Sequence, residues 1–282
     1  MSKPIRRKLN WLEEKLPEGL LVDAAWLGKH GFSTALRRKY IKASWLEQPA
    51  RGVYRKPRGT LTWQQVIISL QTIILREAII VGGRTALELQ GFAHYLQQRT
   101  GTIHLYSAKP LPTWLNKLKL DVRFVHHNSR KLFDNDPITF GLSSLQFDIL
   151  KTTGTSNDLL QRGLTFQPWG HWDWPLTLST PERAVLELLD ELPGHESFHQ
   201  VDKLMEGLTN LSPRRLQKLL ADCRSVKVKR LFFYFADRHR HAWLAQLEKD
   251  RLDLGSGKRM LVKGGRLDPT YLITVPEGMD GV

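Results

Sequence analysis

The chain has 282 residues, of which 41% are hydrophobic and 25% charged, with a formal net charge of +14 and a pI near 10.0. That length can bury the cores of two or three domains, and the composition is that of an ordinary soluble protein. Cys223 is the single cysteine, which excludes an intramolecular disulfide and any site built from several thiolates and fits a reducing cytoplasm.

The charge excess favours a polyanionic partner, nucleic acid being the commonest for a soluble protein. It is concentrated: residues 1–58 hold 14 Lys and Arg against 5 Asp and Glu, while the other 224 residues hold 28 against 23. No apolar run approaches the ~20 residues that cross a bilayer, so no membrane is expected. Met1–Lys8 is basic, but no apolar stretch follows it to make a signal peptide.

Ile5, Leu9, Leu12 and Leu16 recur at helical spacing and predict a first helix over 4–16. Asp23 reads as the cap of a second helix that stops at His30-Gly31. Ser33 caps a third over Thr34–Lys42, with Leu36 and Tyr40 on one side and Thr34, Arg38 and Lys42 on the other. Ile41 falls near the basic side, against the pattern. From Trp45 to Lys56 two strand-like runs flank Gln48–Gly52 and read as a hairpin. A cationic helix followed by a basic hairpin is how a winged helix-turn-helix meets DNA. The expected contacts to base edges are Thr34, Arg38 and Lys42. Arg37, Lys39, Arg51, Arg55 and Lys56 are expected on phosphates, beside the capping Ser33. Pro57-Arg58-Gly59 marks the boundary, giving a 1–58 head and a 59–282 remainder, mixed α/β to 192 and helical with terminal strands beyond.

Thr62-Trp63-Gln64-Gln65 has capping-box spacing and opens an apolar helix. Gly82-Gly83-Arg84 resembles a phosphate-binding turn but lacks G-x-G-x-x-G spacing and a following Lys-Ser or Lys-Thr, so close backbone packing is the better reading. Segments 102–106, 122–126, 138–142 and 145–150 predict strands of a mixed or mostly antiparallel sheet. His126 and His127, near Asp134 and Asp136, invite a metal, but adjacent strand residues point to opposite faces and cannot easily share an ion; no metal or other cofactor is expected. The aromatic run Trp169–Trp174 reads as a hydrophobic edge or interface rather than a base-stacking platform.

Thr180-Pro181-Glu182 opens a well-specified helix, Ser197 and Ser212 cap two more, and Arg230–Phe235 is apolar nearly all round and therefore expected inside. Leu252–Arg259 fails as a Walker loop at Leu252 and Arg259, and a terminal strand pair is expected there. Asp121, Asp148, Glu182 and Glu187 are the carboxylates a metal-dependent nuclease would draw on, yet no spacing or motif assembles a catalytic set, and no enzyme is expected.

Taken together, the helix-hairpin ending Arg51–Arg55, the Gly82–Gly91 turn, Ser179–Ala184 and the closing Leu254–Arg259 with Lys263–Arg266 resemble the AbiEi antitoxin family over nearly the whole chain. The resemblance implies an α+β protein with an N-terminal winged helix-turn-helix and a larger antitoxin region. It also implies a bacterial type IV toxin-antitoxin or abortive-infection pair in the cytoplasm. Double-stranded promoter DNA with inverted repeats and a nucleotidyltransferase-like AbiEii-type toxin would be the partners, the toxin without a stable complex. Arg84, Arg183, Lys258 and Arg266 lie in family-like motifs and are candidates for the antitoxin surface, Arg84 and Arg183 equally for internal ion pairs. A winged-helix nuclease and a protein-interaction scaffold remain the other readings.

Overall fold

The computed structural model describes residues 3–74, 79–92, 101–135 and 163–279. The expected strands at 138–142 and 145–150, with Asp136 and Asp148, lie outside the described residues.

The chain begins with helices α1 (Lys3–Lys15), α2 (Ala24–Lys29) and α3 (Thr34–Lys42). Asp23 accepts from the Trp26 amide at 2.7 Å, and the Ser33 hydroxyl accepts from Leu36 at 3.3 Å, so both helices start on the side-chain caps read from sequence. The hairpin is present as β2 (Glu47–Ala50) and β3 (Val53–Arg55), turning at Gly52 with φ +81°. Pro49 sits on the outer strand, where its missing amide costs no ladder bond, and the register slips between Glu47 and Ala50. One strand escapes sequence reading. Val22–Asp23 forms β1, which pairs antiparallel with β3 and makes β3 the centre of a three-stranded sheet.

Leu12, Leu16, Val22, Leu27, Phe32, Tyr40, Leu46 and Tyr54 form the core of this head. Tyr40 is fully buried, edge-on to Phe32 at 5.9 Å and to Trp45 at 5.0 Å. Ile41 is half-buried against the same core, so the helix dips its basic side at one point to gain apolar contact.

Helix α4 (Trp63–Ser69) starts on a complete capping box between Thr62 and Gln65 and runs into a π-helical turn over Leu70–Ile74. The Leu21 amide donates to Ser69 at 2.8 Å, and Leu20, Leu21 and Val53 join the core of the remainder, so head and body share packing. The body is a five-stranded mixed sheet in the order β6 (Arg123–Asn128), β5 (Thr102–Ser107), β4 (Ile80–Val81), β8 (Trp174–Ser179), β7 (Leu164–Trp169). Pairs β5–β6 and β4–β8 are parallel, and the others antiparallel.

Helices α5 (Gly83–Leu89), α6 (Pro181–Asp190), α7 (Phe198–Gly207), α8 (Pro213–Asp222) and α9 (Val226–His239) complete the body with a terminal pair, β9 (Arg266–Asp268) and β10 (Ile273–Val275). Thr180 occupies the cap position of α6, but its hydroxyl makes no capping bond. Helix α9 is buried from Val228 to Ala236, as its all-round apolar stretch requires. Cys223 is buried, which raises its thiol to about 11 and leaves it inert at neutral pH.

Candidate nucleic-acid interface

Because the buried side of α3 is fixed by Tyr40, its opposite side is turned to solvent. Ser33, Thr34, Arg38, Lys39 and Lys42 are all exposed. Arg51, at the hairpin tip, is exposed as well. Arg37 is half-buried: its guanidinium donates to Ala24 O at 3.2 Å and Thr34 Oγ1 at 2.8 Å and lies 5.5 Å from the Tyr54 ring. It braces α3 against α2 and the wing more than it reaches outward.

Arg55 and Lys56 do not stand in solvent beside the cations of α3. Both are 4% exposed. Arg55 pairs with Glu47, its cross-strand neighbour, at 2.7 Å and donates to Gly59 O. Lys56 donates to Glu13 O at 2.5 Å, with the Glu13 carboxylate 3.5 Å away. The pairing of β1 with β3 ends at Tyr54, so the partners of the two cations come from elsewhere: Glu47 on the neighbouring strand for Arg55 and Glu13 of α1 for Lys56, since a covered cation needs an anion.

Two antitoxin candidates are likewise interior. Arg183 is 1% exposed, paired with Glu187 at 2.8 Å, and stacks 4.4 Å from Phe133. Arg84 is 4% exposed and its guanidinium engages Glu196 through two hydrogen bonds, one of them 2.7 Å long. Burial disfavours its charge, but Glu196 outweighs this and raises its pKa. Lys258 and Arg266 are exposed on the terminal strands and the loop before them.

Neither glycine-rich turn offers a phosphate cradle. Glu187 Oε2 accepts from the Gly83 amide at 2.9 Å and so occupies the position an anion would take. A Cβ on Gly82 would stand 2.3 Å from Glu187 Oε2 and 2.5 Å from the Tyr106 ring, so close approach explains this glycine. In the loop 254–257, buried Arg230 draws the Leu254 and Gly257 carbonyls inward at 2.7 Å each. Of the nuclease carboxylates within the described residues, Asp121 is exposed, Glu182 is bound to Arg215 at 3.0 Å and to the Ser212 amide at 2.8 Å, and Glu187 is held by Arg183 and the Gly83 amide.

Sequence reading missed one polar cluster. His126 and His127 do face opposite sides of β6, but His127 meets His104 on the neighbouring parallel strand. The facing nitrogens, His104 Nδ1 and His127 Nε2, are 2.9 Å apart, and His127 Nδ1 lies 3.0 Å from Glu191. Tyr106 stacks on His127 at 4.6 Å. Burial and the adjacent His127 push His104 down to about 4, so it is neutral near pH 7. Burial would raise the Glu191 carboxyl, yet the hydrogen bond from His127 holds it below its ordinary value. An ionised Glu191 makes His127 Nδ1 the donor to it, and the two imidazoles share a hydrogen bond between His104 Nδ1 and His127 Nε2. Sequence shows one histidine on β5 and an adjacent pair on β6, and the pairing that brings His104 to His127 is non-local.

The arrangement defines a class: a winged-helix head presenting a cationic helix, joined to an α+β body with its own buried polar network. The match to known families places it further. The transcriptional-regulator AbiEi antitoxin family of type IV toxin-antitoxin systems matches residues 100–276, and the N-terminal domain of that regulator matches residues 5–98. The chain belongs to the AbiEi antitoxin family. A crystal structure of the Rv2827c protein from Mycobacterium tuberculosis is similar in fold, with TM-score 0.54 at 16% identity, covering 97% of this chain and 91% of that one. No curated protein matches in sequence. Among the described residues, no helix is long and apolar enough to cross a membrane.

Proposed function

We propose that this chain binds the promoter of its own operon at inverted repeats through α3 and the wing, repressing it, and separately counteracts a toxin encoded beside it. The observation that supports this best is the capped helix Thr34–Lys42, whose exposed Arg38, Lys39 and Lys42 stand in a regulator-family chain with a net charge of +14. Thr34, Arg38 and Lys42 read base edges in the major groove. Lys39 and Arg51 hold phosphates, with Ser33 at the helix N-terminus and a lesser share from Arg37. Arg55 and Lys56 support the wing instead.

The body acts as the antitoxin against a nucleotidyltransferase-like AbiEii-type toxin in the bacterial cytoplasm, without catalysis, cofactor or a stable complex. Lys258 and Arg266, exposed at its end, belong to the surface concerned. A reporter driven by the operon's own promoter tests the first half, and co-expression with the neighbouring toxin gene the second. Repression that is lost in Arg38→Ala while growth rescue persists supports two separable activities. Equal repression by wild type and Arg38→Ala, or no rescue by either, contradicts the reading.

A further inference from the structure

The cluster joining β5, β6 and the end of α6 has no task in DNA binding, and its chemistry suggests another. We propose that His104 Nδ1 and His127 Nε2 together hold a divalent transition-metal ion of the zinc class, with Glu191 fixing His127 through its other ring nitrogen. Their 2.9 Å separation is close to the edge of a coordination polyhedron. Two imidazoles bound at ~2.0–2.1 Å in a tetrahedron stand roughly 3.3 Å apart. The two rings lie nearly coplanar and head to head, centroids 5.1 Å apart with 11° between their planes, so replacing the shared proton by an ion asks for a shift of a few tenths of an ångström and a turn of both rings that lets their lone pairs converge. The carboxylate on His127 Nδ1 is the partner a metal-bound imidazole ordinarily has; it sets the ring and makes the free nitrogen more basic.

Local charge agrees. Glu191 and Glu196 stand against Arg84, an anionic balance inside a strongly basic protein. The His127 side chain is 15% exposed, so the pair lies just beneath the surface, and water would complete the coordination. Imidazole donors select zinc, copper or nickel over magnesium and calcium, which prefer oxygen cages.

The full-length chain, stripped with chelator, is titrated with zinc chloride by calorimetry near pH 7. One equivalent should bind in wild type. His104→Gln and His127→Gln should each abolish that binding, and Glu191→Gln should weaken it about 10–100-fold. Long-range proton–nitrogen NMR on the unmodified chain gives a readout independent of variant folding. Zinc should shift His104 Nδ1 and His127 Nε2 and leave His127 Nδ1 protonated. Absence of saturable binding, retention of the equivalent in both histidine variants, or shifts confined to other histidines would each overturn the proposal and leave the cluster a hydrogen-bonded brace. None of these outcomes bears on the promoter reading.

Discussion

The head and the body use the same residue type in opposite ways. In the head, Arg38, Lys39, Lys42 and Arg51 stand in solvent, where an ionised group keeps its hydration and is available to a phosphate. In the body, Arg84, Arg183 and Arg230 are each under 5% exposed and matched to carboxylates or inward carbonyls. Arg55 and Lys56 belong to the head by position but to the body by environment. A basic residue therefore says little about function until burial and partner are known.

The largest effects should come from breaking the interior pairs. Arg183→Ala strands a fully buried Glu187 and should cost about 3–5 kcal/mol in urea unfolding. A loss under about 1 kcal/mol would move Arg183 out of the structural class. Next comes pH. The folded pKa of His104 is depressed to about 4, so between its ordinary value and there the unfolded chain takes up a proton that the folded chain refuses. Metal-free protein should therefore lose about 2 kcal/mol between pH 7 and pH 4.5 from this group, stability falling as pH falls. The drop should be smaller in His104→Gln; an identical profile would remove His104 as its source.

Smaller effects separate the two kinds of cation. Arg38→Ala should cost about 1–3 kcal/mol on the operator and much less on random DNA, as a base contact does. Arg51→Ala should weaken all sequences alike and reduce the magnitude of the salt slope by about 1, with stability unchanged. Arg55→Ala should behave in the reverse way, lowering the unfolding midpoint while the salt slope stays as it was. If Arg55→Ala changed the slope and not the stability, the division drawn here between head and body cations would fail.

How much of this was legible follows from the range of each interaction. Ser33 and its helix, the Thr62–Gln65 box and the buried Arg230–Phe235 run are set by neighbours within a turn or two, and sequence displays them. The two-residue strand Val22–Asp23 has no local signature, because its pairing with β3 is made 30 residues away. Lys56 looks free in sequence because Glu13, which it meets, lies 43 residues away. Arg84 and Arg183 stand in motifs legible as such, but their burial depends on how α5 and α6 pack, with α7 supplying Gln200 as a further acceptor for Arg84. The His104–His127–Glu191 set needs the parallel register of β5 and β6 and the end of α6, none of which a histidine count discloses. Ile41, which broke the pattern of α3, proved to be a core contact.

If α3 and the wing tip, not Arg55 and Lys56, carry DNA binding, a salt titration of operator binding will show it. With roughly three to four phosphates neutralised per chain, log affinity should fall against log salt with a slope near −3 to −4, shallower by about 1 in Arg51→Ala. A slope near zero, or one that only Arg55→Ala and Lys56→Ala alter, would mean that α3 and the wing tip do not carry the binding.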